Sequence, residues 1–310
     1  MTLTRTAAAY VPFDLEVAAV RRLSPTFVRV AFAGPALAEL HDGGARGLRD
    51  TRIKLVVPDR PGHEPRLDVD VSDPEWYRRW LALDPSVRGH LRTYTVRRFT
   101  KEPEPLLEVD FVLHLDEDGH GGPAGTWAAQ AVPGQRLTVL GPNRRHPDPG
   151  GYEWSPPAPP VGGTRQILLV GDETALPAIG AILEGLPPGY AGEALVEVPG
   201  IDDVQQLTAP PGVRVTYLTR NGRPRGVATL EALATRLTTS LSPAADPEPA
   251  EDELLWETPT GRPPEDGVYA WVAGEASVVR EVRRALIGRH GLTRRQVAFM
   301  GYWRQGRAEG

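Results

Sequence analysis

The predicted secondary structure changes character at a proline-rich segment near the middle of the chain. Before it, short runs rich in β-branched and aromatic residues are separated by turns, with one helix predicted at 74–83. These predicted strands lie at 13–20, 26–32, 52–57, 92–98, 106–114 and 136–140. Few helices and many short strands are typical of a small barrel. In 107–113 the apolar residues alternate with Glu108 and Asp110. The segment 147–163 holds six prolines. We therefore expect a first domain over residues 1–148, a linker over 149–163 and a second domain over 164–310.

Strands and helices alternate in the second half. Strands are predicted at 166–170, 195–198, 213–218, 268–272 and 296–302, and helices at 175–184, 227–237 and 277–289. This order predicts a parallel sheet with helices on its faces. Ligands of such sheets bind at the carboxyl ends of the strands, here 171–174 and 274–277. Segment 243–267, with eight acids against one arginine, is expected to be a mobile insertion.

Residues 92–97, Arg-Thr-Tyr-Thr-Val-Arg, combine a guanidinium, an aromatic ring and hydroxyls in one predicted strand. Alternate side chains of a strand share a face, which predicts Arg92 and Tyr94 on one face and Thr93 and Thr95 on the other. A guanidinium binds phosphate through two parallel hydrogen bonds, and a tyrosine ring lies against a flat heterocycle. The segment fits a flavin or nucleotide site, and it also fits an ordinary half-buried strand.

Two glycine-containing turns are candidates for phosphate binding. Residues 171–178 follow a strand and open a helix, whose first amide groups attract an anion. Gly171 is expected to let a ligand approach the backbone; the alternative is an ordinary turn capped by Asp172 or Thr174. Residues 121–129 form the second turn, in which Thr126 caps a short helix or bonds a phosphate.

The composition limits the chemistry. Without cysteine, the chain has no disulfide, iron–sulfur cluster or thiolate nucleophile. The seven histidines lack metal-ligand spacing, and no serine stands in a nucleophile elbow. Phosphate-binding turns without a protein nucleophile favour redox chemistry on a bound cofactor.

The apolar and charge patterns of the sequence indicate which compartment and which binding partners to expect. No window approaches the roughly 20 apolar residues of a membrane span, and residues 1–12 lack the features of a secretory signal, so we expect a cytoplasmic protein without a membrane span. The net charge of −5 hides a basic C-terminal stretch, 277–310, with eight arginines against two glutamates. That stretch suits an anionic ligand or forms a solvated helix face. An acidic chain without interleaved aromatic and basic residues is not expected to bind nucleic acid.

Four segments carry a family resemblance: Arg-Thr-Tyr-Thr-Val-Arg-Arg-Phe (92–99), Gly-Pro-Ala-Gly-Thr-Trp-Ala (122–128), Gly-Asp-Glu-Thr-Ala-Leu-Pro-Ala-Ile (171–179) and Gly-Tyr-Trp-Arg-Gln-Gly (301–306). From about residue 13 to 306 the chain resembles the siderophore-interacting proteins, flavin-dependent ferric-siderophore reductases of the ferredoxin-reductase-like superfamily. The resemblance implies an N-terminal six-stranded antiparallel FAD-binding β-barrel followed by a C-terminal parallel-sheet α/β NAD(P)-binding domain.

The resemblance also implies residue roles in FAD binding. Arg92 is expected at the FAD diphosphate, and Tyr94 and Thr95 at the isoalloxazine ring. Thr126, where the family more often has serine, is expected at the phosphates, and His114 beside the flavin. The whole expected FAD-binding set is Arg92, Thr93, Tyr94, Thr95, His114, Gly125, Thr126 and Trp127.

Two further sets follow from the same resemblance. The set expected to bind NADPH or NADH is Gly171, Asp172, Glu173, Thr174, Ala175, Pro177, Gly274 and Glu275. The basic positions at which the family binds its anionic iron chelate correspond to Lys54, Arg304 and Arg145, with Arg144 as the alternative to Arg145.

The implied activity is reduction of a ferric siderophore by FAD, with NADPH or NADH as donor and release of Fe(II). Reduced ferredoxin is an alternative donor that the basic C-terminal stretch would suit. Two other interpretations stay open: a flavin or ferredoxin-linked oxidoreductase that does not act on siderophores, and a non-catalytic siderophore-binding protein. Arg220, Arg223 and Arg225 either meet the 2′-phosphate of NADPH or form a solvated turn.

Overall fold

The computed structural model describes residues 7–60, 62–65, 67, 69–114, 121–236, 255–259, 264 and 267–306. The chain divides into two compact units, one of residues up to Tyr152 and one from Glu153 onward. Trp154, in the segment expected to be a linker, is fully buried in the second unit, where its ring packs edge-on against Tyr269 at 5.5 Å.

Seven antiparallel strands build the first unit. They are β1 (Tyr10–Arg22), β2 (Phe27–Ala33), β3 (Arg52–Val57), β4 (His90–Thr95), β5 (Arg98–Thr100), β6 (Leu106–Val112) and β7 (Arg136–Pro142), hydrogen-bonded in the order β4-β3-β7-β1-β2-β6-β5. The two edge strands, β4 and β5, are separated in the chain by only Val96 and Arg97. The sheet must therefore curl until its edges come close. In the described part of the chain the sheet is an antiparallel half-barrel of seven strands rather than the expected barrel of six, because the strand predicted over 92–98 divides at these two residues.

Short helices flank this sheet. They are α1 (Trp76–Leu81), α2 (Pro85–Arg88) and α3 (Pro123–Ala129), and Asp84 caps α2 by accepting a hydrogen bond from Ser86 N. The apolar face predicted for β6 is buried: Phe111 is fully shielded from solvent. The opposite face is not open either, since Asp110 is 3% exposed and bonds Arg29 Nε at 2.5 Å.

The second unit holds a six-stranded sheet. Its strands are β8 (Arg165–Gly171), β9 (Tyr190–Val198), β10 (Val213–Thr219), β11 (Trp256–Glu257), β12 (Val268–Glu275) and β13 (Val297–Trp303), in the order β10-β9-β8-β12-β13-β11. Five strands are parallel, while β11 pairs antiparallel with β13. The prediction of a wholly parallel sheet is therefore wrong, and the sheet is mixed. Helices α4 (Leu176–Glu184), α5 (Val227–Arg236) and α6 (Ala276–Arg283) connect its strands.

The strand β11 differs from the expectation for segment 243–267. Most of the segment 243–267, expected to be a mobile insertion, lies outside the described residues. Within its described part, Leu255 is 3% exposed and Trp256 and Glu257 pair with Met300 and Phe299. This end of the segment belongs to the sheet because burial of Leu255 and backbone pairing hold it there.

Candidate functional site

The register of β3 and β4 orients the 92–95 motif. Leu55 pairs with Arg92 and Lys54 with Thr93, and residues directly opposite each other share a face. Thr93 is exposed and accepts a hydrogen bond from Lys54 Nζ at 3.0 Å. Tyr94 faces the other way and packs half-buried against the core of the first unit. The paired strands β3 and β4 thus present Lys54 and Thr93 on one face, and Arg92 and Tyr94 on the other.

A row of aromatic rings joins this strand to α3. The ring of Phe111 lies 4.5 Å from Tyr94 and 5.5 Å from Trp127, and Trp127 stacks on Phe32 at 6.3 Å with planes 7° apart. Tyr94 and Trp127 are half-buried, while Phe111 and Phe32 are fully buried. The row brings two segments together that lie about 30 residues apart in the chain.

Polar donors lie beside these rings. The half-buried Arg92 donates from Nη1 to Leu91 O at 2.9 Å. In α3, Thr126 Oγ1 donates to Gly121 O at 3.3 Å and accepts from Gly121 N at 3.2 Å, which closes the turn before the helix. A Cβ added to Gly122 would meet no atom within 4 Å, so the backbone there is open. A guanidinium, a hydroxyl, an open glycine and half-buried rings are groups that fit the diphosphate and ring system of FAD.

The other residues of the expected FAD set have different surroundings. Thr95 is 7% exposed and pairs with Arg52. Gly125 is buried in α3, where an added Cβ would be in ordinary contact with Val112 O at 3.5 Å. His114 is exposed just after β6, and residues 115–120 lie outside the described part of the chain.

The basic residues expected at the iron chelate have separate contacts in the two units. Lys54 lies directly across from the 92–95 motif. Arg145 Nε donates to Glu39 Oε2 at 3.0 Å, and Arg144 Nη1 donates to Ala38 O at 3.1 Å. Arg304 is half-buried just after β13 in the second unit. Within the first unit, Lys54 is the expected chelate residue with direct contact to the motif.

In the second unit, Asp172 ties together the carboxyl ends of three strands. Its carboxylate accepts hydrogen bonds from Thr174 N at 2.9 Å, Glu275 N at 2.8 Å and Trp303 Nε1 at 3.0 Å. Burial raises the pKa of Asp172, and the neighbouring Glu173 adds to this, while the hydrogen bonds oppose it. The acid therefore has a structural role that links β8, β12 and β13.

Two glycines at this edge are explained by the protein's own packing. A Cβ on Gly171 would lie 2.5 Å from Ala175 Cβ and 3.0 Å from Ile179 Cδ1. Gly274 has φ of 145°, and a Cβ there would lie 2.8 Å from the carboxylate of Asp172. The close approach of Ala175 and Ile179 accounts for a glycine at position 171 without a ligand. A nucleotide contact through either glycine stays a prediction.

Glu173 is the centre of a buried ion network that sequence reasoning missed. It is fully buried, and its carboxylate accepts two hydrogen bonds from Arg220, at 2.7 and 3.0 Å, and one from Arg225. The guanidinium of Arg225 also lies 4.8 Å from the ring centre of Trp303. Arg220 is thus neither in a solvated turn nor open to a 2′-phosphate. Arg223 does lie on the surface, where it pairs with Glu231 at 2.5 Å.

Carboxylates also cap the helices at this edge. Glu275 accepts from Ser277 N at 2.7 Å and Val278 N at 3.1 Å at the start of α6. Burial by itself would raise the pKa of Glu275, but the hydrogen bonds from Ser277 and the nearby amides outweigh it and lower the pKa. The carboxylate of Glu197 caps α5 in a similar way, since it accepts a hydrogen bond from Gly226 N at 2.9 Å. Amides at the starts of α5 and α6 therefore already bind carboxylates, and phosphate binding at this edge stays a prediction.

Two family models match this chain. Residues 16–146 match the model of the siderophore-interacting FAD-binding domain, and residues 164–306 match that of the siderophore-interacting protein. A siderophore utilization protein from T. fusca is 34% identical, with a TM-score of 0.69, over 97% of this chain and 95% of that chain. The ferric vibriobactin reductase of Vibrio cholerae is 29% identical over 96% of this chain and 91% of its own length.

A more distant structure identifies the fold. Ferredoxin–NADP+ reductase from Plasmodium falciparum has a TM-score of 0.56 over 92% of this chain and 94% of its own, at 12% identity. The two units therefore have the ferredoxin-reductase-like fold. The two family models and the T. fusca relative show that the chain belongs to the siderophore-interacting protein family.

Proposed function

We propose that the protein is a cytoplasmic flavoprotein that reduces a ferric siderophore through bound FAD, with NADPH or NADH as electron donor. The observation that carries the proposal is the aromatic contact from Tyr94 through Phe111 to Trp127. It joins the strand that carries Arg92 to the helix that carries Thr126, within a unit that matches a siderophore-interacting FAD-binding domain.

The residues of the first unit would bind and orient the cofactor. When bound, FAD accepts electrons from a donor and passes single electrons to Fe(III). Arg92 would hold the diphosphate through parallel N–H donors, and the Thr126 hydroxyl would bond a phosphate oxygen. Tyr94 and Thr95 would contact the ring system, and the half-buried setting of Tyr94 limits water on that side.

A cation is expected to hold the iron chelate near the flavin. Hard anionic oxygen ligands hold Fe(III) through charge, so the loss of one charge on reduction weakens the complex and frees Fe(II). Lys54 would attract the anionic chelate through its charge, from the face of the β3–β4 pair that carries Thr93 and lies opposite Tyr94. Arg304 and Arg145 are expected to add to this attraction.

A nicotinamide nucleotide is the electron donor in this proposal. NADPH or NADH follows from the family resemblance, but Asp172, Glu197 and Glu275 use the amides at the strand and helix ends. Reduced ferredoxin is the alternative donor, and the arginine-rich stretch 277–310 would suit an acidic partner.

The test separates this function from its alternatives. The purified protein is loaded with FAD and mixed anaerobically with NADPH, NADH or reduced ferredoxin while the flavin absorbance is followed. It is then mixed with a ferric hydroxamate, a ferric catecholate or free flavin. Rapid reduction of a ferric chelate supports the proposal. Reduction of free flavin alone indicates a flavin reductase, and a protein that binds the chelate without binding FAD is a non-catalytic carrier.

Among the described residues, we find no helix with the length and apolar character that a membrane span requires.

A further inference from the structure

Strand β4 carries a histidine two residues before Arg92 to which neither the sequence motifs nor the comparisons give a role. Alternate residues of a strand share a face, so His90, Arg92 and Tyr94 lie on the same side of β4. Both His90 and Arg92 are half-buried. Residues two apart in a strand are separated by roughly 6.6 Å, a spacing that lets two side chains reach the two phosphates of one diphosphate.

The charges around His90 favour an anion. The charged groups of the described chain that bear on it are Arg92 on the same strand, Arg88 at the end of α2 and Asp59 after β3. The carboxylate of Asp59 already binds two bases, Arg60 Nη1 at 2.7 Å and His63 Nδ1 at 2.6 Å. Positive charge therefore predominates beside the imidazole, and an anion placed there would be stabilised.

We propose that His90, in its protonated form, binds the diphosphate of FAD beside Arg92. The inference rests on the proposed FAD site and adds a second diphosphate-binding residue to it. Arg92 stays charged at all relevant pH values, whereas an imidazole gains its charge near neutrality. The site would thus hold the cofactor with one permanent cation and one that depends on pH.

The sign of the pH effect follows from linkage. In the flavin-free protein, burial first, and then the charges of Arg92 and Arg88, lower the pKa of His90. A bound diphosphate favours the protonated imidazole and raises that pKa, so binding takes up a proton between the two values. The extra affinity is complete below the lower pKa and is lost as the pH rises through the higher one. Each unit between the two values changes the dissociation constant about tenfold.

The experiment measures FAD binding rather than turnover. Flavin-free full-length protein is titrated with FAD, and the quenching of flavin fluorescence gives Kd between about pH 5.5 and 8. The wild-type Kd is expected to fall on the order of tenfold as the pH falls. H90Q should remove this dependence, and H90K should bind FAD tightly across the whole range. H63Q is the matched control, because His63 is at the same end of the sheet but is bound to Asp59, and it should keep the wild-type slope.

Riboflavin, which lacks the diphosphate, tests the ligand side. Its binding to the wild-type protein should not depend on pH in this range. The proposal is overturned if the wild-type Kd for FAD is independent of pH, if H90Q keeps the slope, or if riboflavin shows the same slope. Should H90Q fail to fold, H90K and the riboflavin titration decide the matter. A wild-type protein that binds FAD at no pH would overturn the proposed function itself, whereas a flat Kd with tight binding would remove only the role of His90.

Discussion

The ring centres of Tyr94 and Phe111 lie 4.5 Å apart, with their planes inclined by 42°. Aromatic pairs at this distance contribute about 0.5–1.5 kcal/mol beyond the area that they bury. The contact fixes one side of the Tyr94 ring against the core and leaves the ring half-buried. A flat ligand can therefore use only the remaining surface of the ring, beside Arg92 and α3.

Arg92→Ala should weaken FAD binding roughly ten- to hundredfold, the effect of losing a hydrogen bond to a charged group. Arg92→Lys should recover part of the affinity, because a lysine supplies the charge but not two parallel donors. The measurement is the Kd of flavin-free protein for FAD. Arg98→Ala, at an exposed arginine in the same sequence segment, is the control and should bind like wild type. Equal Kd values for R92A and R98A would remove the diphosphate role.

Lys54→Ala should raise the siderophore concentration needed for half-maximal reduction several-fold, since one exposed charge is worth up to about 1 kcal/mol. FAD content should stay at the wild-type level. Lys101 is the other lysine of the sequence, and it pairs with Asp42 on the surface. Lys101→Ala is thus a matched control. An unchanged concentration dependence in K54A would discard its role at the chelate.

Glu173→Gln should destabilise the protein by about 3 kcal/mol, because Arg220 and Arg225 would lose a buried counter-charge. Urea denaturation of the two proteins measures this difference. The control is Glu231→Gln, which removes the partner of Arg223 at the surface and should leave the stability close to that of wild type. If both variants lost the same small amount, the network around Glu173 would not be a stabilising one.

Burial raises the pKa of Tyr10 to about 12, and its hydroxyl donates to Arg52 O at 2.8 Å. The unfolded chain loses this proton near pH 10, whereas the folded chain keeps it. Stability contributed by Tyr10 is therefore complete below about pH 10 and is lost as the pH rises towards 12. Unfolding free energies measured across this window should fall more steeply in wild type than in Tyr10→Phe. If the unfolding free energies of wild type and Tyr10→Phe fell in parallel as the pH rises, the raised pKa of Tyr10 would be contradicted. Tyr77→Phe, at a 40% exposed tyrosine, controls for loss of a phenol.

Local patterns predicted the elements better than the contacts between them. The alternation in β6 predicted a buried face because period-two patterning follows directly from strand geometry. The division at Val96 and Arg97 was not predictable, since β4 pairs with β3 whereas β5 pairs with β6. Such pairing depends on residues distant in the chain.

The candidate site shows the same division. The residues with a chemical signature, Arg92, Tyr94 and Thr126, could be selected from the sequence, but their link through Phe111 could not. The ion pair of Glu173 with Arg220 spans 47 residues, and no local pattern marks it. Likewise, the position of Gly171 after a strand predicts a ligand-binding turn, whereas the packing of Ala175 and Ile179 against it accounts for the absence of a side chain there.

The most direct test of the central claim is the oxidation of the reduced flavoprotein by a ferric siderophore. The FAD-loaded protein is reduced photochemically without oxygen and mixed with the chelate, while flavin absorbance and an Fe(II) indicator are recorded together. Our account predicts that the flavin absorbance recovers as Fe(II) appears, and that K54A slows both at low chelate concentration. A protein that takes up no FAD, or a flavin that stays reduced in excess chelate, would contradict it.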